Sequence, residues 1–269
     1  MSTEQSKGTF QDAAAVDFAK LYDTHAEYVA RRVDGSFEQQ QIAIEVARFK
    51  LPNLTSLLPH GFVPRRVIEI GCATGELIAG FPIAVGGRRV GVDISASNIA
   101  AAQARFPAVT FHAGSFTDLT AQEFDCVILS DLLEHVENDA GFLADAARLG
   151  RYVLVNLPLE NNWLNRTRAY GPDDASGHLR SYSLEQGLDL FSRAGLKVID
   201  QRRVWVFESG VELERRQLRK RHFGVEYNGG FATRMLKRTV MQLAYVLPPL
   251  GRRLFASNLF VIAQKNAHI

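Results

Sequence analysis

The chain is short of cysteine and tryptophan and has no long apolar run, and each shortage removes a class of protein. Only Cys72 and Cys126 occur among 269 residues. They fall in different predicted elements, which leaves no disulfide framework and no cysteine pair of the metal-binding kind; reduced thiols of a cytoplasmic protein are the default. No apolar stretch reaches the ~20 residues that cross a bilayer. The opening segment from Met1 to Thr9 is polar, so no secretory leader is expected. Repeats and low-complexity tracts are absent. The formal charge of +2 and the pI of about 8.6 are too mild to point to DNA. What is present, 46% hydrophobic and 22% charged residues, suits one large domain with decorations.

The most informative stretch is Val67-Ile-Glu-Ile-Gly-Cys-Ala-Thr-Gly-Glu-Leu77, followed by Arg89-Val-Gly-Val-Asp93. An apolar run carrying Glu69 breaks into a loop with Gly71 and Gly75, continues as a predicted helix, and meets a second apolar run that ends in Asp93. That is a strand-loop-helix-strand unit. The glycines let the backbone turn and approach a ligand. Asp93, 22 residues beyond Gly71, stands where a carboxylate accepts from ribose hydroxyls. A dinucleotide site wants G-x-G-x-x-G for its pyrophosphate. Here Ala73 takes the second glycine position and Glu76, an acid, the third, which argues against that ligand.

Later segments keep the register. Val109–Ala113 is a third apolar run, followed by a loop with Gly114, Ser115 and Phe116. Phe124–Ser130 reads as a fully buried strand of the parallel type and opens into Asp131. Arg151–Asn156 is a fifth strand, stopped by Pro158. Helices are expected over 95–105, 139–149 and 184–194, with strands at 195–199 and 259–264. The alternation predicts an α/β fold, doubly wound and Rossmann-like, with ligands outside the carboxyl ends of the strands.

The loop Gly71-x-Ala73-x-Gly75 resembles motif I of the class I S-adenosylmethionine (SAM) methyltransferases. Asp131-x-x-Glu134-His135-Val136 and Gly177-His-Leu-Arg-Ser-Tyr-Ser183 are similar to signatures of the group that includes the ubiquinone-pathway O-methyltransferases. The resemblance covers about residues 61–203. It implies a seven-stranded sheet, six strands parallel and the seventh antiparallel, with SAM as cofactor. The cofactor residues it implies are Glu69, Gly71, Cys72, Ala73, Gly75, Asp93, Ile94, Ser115, Phe116, Ser130 and Asp131. The activity it implies is methyl transfer to an oxygen of a small-molecule or lipid- or glycan-linked acceptor. A metal-assisted RNA 2′-O-methyltransferase and a non-catalytic SAM-binding protein are the alternatives.

A hydroxyl acceptor needs its proton removed, and a histidine near neutrality suits that task. His178 and His135 are the candidate bases; each has a structural alternative, His135 bracing the segment after the fourth strand and His178 the turn that orders Arg180. No metal is assigned. The competing pattern places Asp131, Glu134 and His135 on one helical face with His178 completing a site, as in the small-RNA 2′-O-methyltransferases, while Asp131 equally suits a helix N-cap. Cys72 reads as a small packing residue rather than a reactive thiol.

Two regions flank the core of residues 61–203. Residues 1–60 form a helical cap, with helices expected over 17–33 and 36–49; Tyr22, His25 and Tyr28 face the site if the cap is a lid and pack on the sheet if it is not. The insertion 204–258 precedes the last strand at 259–269. It carries ten Lys or Arg against four acids, so the remainder of the chain is net acidic. Residues 232–247 show an amphipathic helical period. The basic face is a solvated surface, a lid for an anionic acceptor through Arg215, Arg216 and Arg219, or a membrane-surface helix over 231–247.

Overall fold

The computed structural model describes residues 17–119, 124–162, 165, 167–171, 174, 176–224 and 257–266, together with 239, 242–243, 246–247 and 249. Seven strands form one sheet: β1 (Arg66–Ile70), β2 (Arg88–Asp93), β3 (Thr110–Ala113), β4 (Phe124–Ser130), β5 (Gly150–Leu159), β6 (Leu196–Trp205) and β7 (Ser257–Lys265). Their order is β3-β2-β1-β4-β5-β7-β6. The neighbours from β3 to β5 are parallel, and β7 is antiparallel to both β5 and β6.

The central strands β1, β4, β5 and β7 are buried on both faces, which explains their apolar runs. Side chains of a strand alternate between faces. Ile68, Ile70, Val127, Leu129, Val153 and Val155 accordingly fall in one core, and Val67, Cys126, Ile128 and Leu154 in the other. The first core is covered by α7 (Asp139–Ala146) and α8 (Leu184–Arg193), the second by α4 (Leu51–Thr55), α5 (Glu76–Gly80) and α6 (Ala96–Arg105). Burying each such side chain contributes about 1.5–3 kcal/mol. Caps fix the helix starts: Ser95 accepts from Asn98 N–H for α6, and Ser183 with Gln186 makes a capping box for α8.

From β1 the chain winds outward to β2 and β3, then returns to place β4 on the other side of β1. The crevice for a ligand therefore opens between the carboxyl ends of β1 and β4.

Several expectations are corrected. Pro158 does not stop β5, which runs to Leu159. The pairing of β5 with β4 ends at Asn156, and beyond it, among the described residues, β5 pairs with β7 alone, with Pro158 opposite Asn258. A proline is tolerated there because one flank needs no donor. The first cap helix is broken: α1 (Phe18–Thr24) and α2 (Ala26–Arg31) meet at His25, which is extended. The guanidinium of Arg32 takes the carbonyls of Tyr22 and Asp23 at that break, at 2.9 and 3.0 Å. The second cap helix, α3 (Phe37–Glu45), continues past Phe49 through a π-turn, Val46–Lys50, into α4. Pro52, in the first turn of α4, has no N–H to carry on the ladder. In the insertion, α9 (Val211–Phe223) packs against α3. The amphipathic stretch 231–247, with Arg234, Lys237 and Arg238, lies almost wholly outside the described residues.

Candidate active site

The glycine loop follows β1. Gly71 and Gly75 have φ of +74° and +86°, and a Cβ at either would strike Leu132 or Phe111, within 2.9 and 2.7 Å. Glycine is thus demanded by conformation and by close protein packing as well as by any ligand. Ala73 also has positive φ, 45°, which an Ala adopts only under constraint. The constraint is Asp93, whose Oδ2 accepts from Ala73 N–H at 2.9 Å while Oδ1 accepts from Ser95 N–H at 2.9 Å. Cys72 is 4% exposed and packs in the core; burial pushes its thiol well up, so only its backbone is left for a ligand. Glu69 accepts from Ile78 N–H at 2.9 Å and thereby caps α5. Burial pushes its carboxyl up to about 8. Glu76, read as a barrier to pyrophosphate, pairs with Arg105 and accepts from Thr74.

Beside Asp93, Ile94 is 48% exposed. Gly114 N–H donates to the Asp93 carbonyl at 2.9 Å, which sets the loop of Ser115 and Phe116 next to it. Ser115 bonds Thr117, and Phe116 is buried. An apolar side chain in the open, flanked by a buried carboxylate and hydroxyls, fits the flat face and ribose hydroxyls of an adenosine.

Across the crevice, Ser130 ends β4 and Asp131 turns the chain with φ of 51°. Asp131 caps no helix. Its carboxylate accepts from Asn156 Nδ2 at 3.1 and 3.0 Å and pairs with Lys50 Nζ at 2.6 Å. Lys50 also reaches Glu45 at 3.4 Å, and Glu45 pairs with Arg215 of α9. Burial would strip the ammonium of its proton, but the charges of Asp131 and Glu45 outweigh it and raise Lys50. Glu134 and His135 lie in a short 3-10 turn rather than on a helix face with Asp131. Glu134 is 1% exposed, and neither carboxylate oxygen has a hydrogen-bond partner.

The two signature segments dock on each other. Leu179 N–H donates to the Glu134 carbonyl at 2.9 Å, Arg180 donates to the carbonyls of Val136 and Glu137 at 2.6 and 2.7 Å, and Tyr182 Oη to that of Leu133 at 3.2 Å. His135 and His178 meet edge to face, 4.8 Å between ring centroids. His135 Nδ1 is 2.9 Å from the Gly177 carbonyl, and His178 Nδ1 is 2.8 Å from Glu160 Oε2. Carbonyl and carboxylate only accept, so each Nδ1 carries a proton. Burial, reinforced by His178, pushes His135 down to about 4. Burial alone would raise Glu160, but the His178 hydrogen bond and the Arg168 charge hold it low.

The cap covers both halves. Tyr22 lies edge-on to His135 at 6.2 Å and to Tyr28 at 4.9 Å, and Tyr28 Oη donates to the Ser176 carbonyl at 3.2 Å. Asp23 accepts from Ser95 and Ser97, and Arg32 from the same cap bonds Asn98 at 3.1 Å. His25 packs on Tyr28, 5.6 Å between ring centroids. On α9, Arg215 is taken up by Glu45 and Arg216 by Glu212.

Residues 40–201, more than half of the chain, match the family profile of a methyltransferase domain. The chain belongs to this methyltransferase family. Its curated relatives include the ubiquinone biosynthesis O-methyltransferases of Rhodopseudomonas palustris (strain BisB18), 32% identical over 105 residues, and Bradyrhizobium sp. (strain ORS 278), 33% over 106. In each case the match spans 36% of this methyltransferase and 41% of the relative. Among solved structures, phosphoethanolamine N-methyltransferase 2 of Haemonchus contortus, with phosphomonomethylethanolamine and S-adenosylhomocysteine, aligns with a TM-score of 0.61 at 17% identity, over 94% of this chain and 61% of the other. Magnesium protoporphyrin IX methyltransferase of Synechocystis PCC 6803, with bound SAM, aligns with a TM-score of 0.51 at 16% identity, over 94% and 99%. These likenesses bear out the fold. Neither the RNA reading nor the non-catalytic one is favoured for a member of this family. Among the described residues no helix is long and apolar enough to cross a membrane.

Sequence reasoning missed Lys50, Glu160 and Asn156, all in contact with predicted site residues.

Proposed function

We propose that this methyltransferase carries a methyl group from SAM to an oxygen of a small-molecule acceptor. The observation that carries the reading is the pairing of two unlike half-sites across the β1–β4 crevice. One is the cradle of Gly71, Ala73, Gly75, Asp93 and Ile94, with Ser115, Phe116 and Ser130 at its rim. The other is the pair His135 and His178, each ring held at Nδ1 with Nε2 outside those contacts. SAM, when bound, supplies an electrophilic methyl on a cationic sulfonium. The chain's own residues align the two substrates and exclude water. Asp93 accepts from the ribose hydroxyls, and the apolar Ile94 lies against the adenine. His178, its ring fixed by Glu160, takes the acceptor's proton at Nε2, and His135, edge-on to it, walls the same side. Oxygen is favoured over nitrogen because a hydroxyl needs a proton acceptor at hand, and because the curated relatives are named O-methyltransferases.

Calorimetric titration of the protein with SAM and, separately, with NAD tests the donor. Saturable SAM binding with none for NAD is expected; NAD binding without SAM binding overturns the proposal. Radiolabelled SAM offered with phenolic, glycosyl and lipid-linked acceptors then identifies the class that takes up label.

A further inference from the structure

We infer that Arg215, in the insertion before the last strand, is a positioning residue for the cofactor cradle, acting through Glu45 and Lys50 on Asp131, a role that rests on the SAM reading of that cradle. Asp131 carries a Cβ yet takes φ of 51°. Such a residue persists only where its surroundings over-determine it, and outliers of this kind gather at functional sites. Two contacts hold it. Asn156 Nδ2 reaches its two carboxylate oxygens at 3.1 and 3.0 Å, and Lys50 Nζ pairs with Oδ2 at 2.6 Å. Asn156 is itself fixed by Asn258, whose Nδ2 donates to its Oδ1 at 2.8 Å. The next residue along the chain, Leu132, packs so closely on the glycine loop that a Cβ at Gly71 would meet it at 2.9 Å. Loosening Asp131 therefore frees the wall against which that loop is packed.

The ammonium of Lys50 is shared. A regular α-helix would set positions 45 and 50 roughly 140° apart around its axis. The π-turn, in which Leu51 N–H donates to the Val46 carbonyl, brings Lys50 round to 3.4 Å from Glu45 Oε1. Glu45 thus competes with Asp131 for one cation. Arg215 decides the competition, because its guanidinium pairs with Oε2 of Glu45 and Lys50 stays nearer to Asp131. Arg31, another cation whose charge reaches Glu45, is engaged by Glu27 at 2.8 Å. Without Arg215, the Glu45 carboxylate draws Lys50 toward itself, and Asp131 loses its cation.

Docking of α9 does not depend on Arg215. Arg48 pairs with Glu214 at 2.7 Å, and Gln40 Nε2 bonds His222 Nε2 at 3.1 Å. Phe37 meets Phe223 edge to face, 4.9 Å between ring centroids, and Val211 and Leu218 are buried. Removing the guanidinium therefore leaves the helix in place and changes how Lys50 divides its charge.

The test measures SAM dissociation constants of the full chain by calorimetry, with no acceptor present. Arg215→Gln should weaken SAM by roughly 5–30-fold, the scale of coupling within one ion-pair network, and Arg215→Lys, which keeps the charge, should lose less. Arg215→Gln combined with Glu45→Gln should recover affinity close to that of wild type, because Asp131 then has no rival for Lys50. A residue that merely docks α9 gives the opposite result, since a second substitution cannot restore its lost contact. Circular dichroism establishes that each variant is folded, and Arg215→Met takes the place of the Gln variant if that one is not. Wild-type affinity in the folded Arg215 variant, or a loss that the Glu45 substitution leaves in place, overturns the inference. A wild type that binds no SAM overturns the methyl-donor assignment and this role with it, whereas failure in the variants alone leaves that assignment standing.

Discussion

Lys50 Nζ lies 2.6 Å from Oδ2 of Asp131, joining the π-turn of the cap to the left-handed residue that follows β4. With Glu45 and Arg215 it forms a chain of charges that runs from α9 to the site. Replacing Lys50 by Met leaves two carboxylates facing each other. The loss should be about 3 kcal/mol, at the low end for a broken buried pair because the Lys50 side chain is still 18% exposed. Urea denaturation of Lys50→Met and Lys50→Arg gives the comparison; equal midpoints for Met and wild type would show that the pair is dispensable.

Asp93→Ala should weaken SAM binding by ~1–3 kcal/mol, the cost of unpaired buried donors. It also frees the N–H groups of Ala73 and Ser95, so Asp93→Asn, which keeps an acceptor, should lose less. Calorimetry ranks the three proteins, and unchanged affinity in the Ala variant places the ribose contact elsewhere.

His178→Ala should lower turnover by ~10²–10⁴-fold with the SAM dissociation constant retained. Glu160→Gln should fall between wild type and that variant, since the ring keeps a hydrogen-bond partner but loses the carboxylate. Steady-state kinetics at saturating SAM reads both. Parallel loss of SAM binding would make His178 a structural residue.

Glu69 gives a dependence on pH. Its carboxyl is raised from 4.5 to about 8 by burial, so between those values the folded chain keeps a proton that the unfolded chain has released. Stability from this group is full below about 4.5 and is lost as pH rises through about 8. Glu69→Gln keeps an acceptor for Ile78 N–H and carries no charge. It should match wild type at pH 5 and exceed it at pH 9 by a few kcal/mol. Chemical denaturation at both values checks this; parallel behaviour at the two would mean Glu69 stays ionised in the fold.

The cofactor half of the site was legible because its signal is local. Glycines at Gly71 and Gly75, an acid at Asp93 and the strand periods around them sit within one strand-loop-helix-strand unit, and the fold follows from their alternation with helices. The acceptor half is assembled from distant segments. Lys50 and Glu45 read as ordinary helix-surface charges until α9 and the turn after β4 close over them. Glu160 follows a proline that looked like the end of a strand, and only the pairing with β7 carries β5 that far. The break at His25 has no proline or glycine to announce it, whereas Pro52 beside the π-turn was an available sign. Arg215 and Arg216 looked free for an anionic acceptor, but periodicity cannot see that Glu45 and Glu212 neutralise them.

The strand order has a consequence for how the chain reaches this state. β7, the last strand along the chain, lies between β5 and β6, and among the described residues β6 pairs with no other strand. Until residues 257–265 are synthesised, β5 therefore shows a bare edge and β6 cannot join the sheet. Phe49 waits too, because it packs edge-on against Phe260 at 5.2 Å. Nascent chains that stop short of Ser257 carry an open apolar edge of the kind that pairs with other chains. Premature termination there should yield aggregate rather than a smaller folded protein.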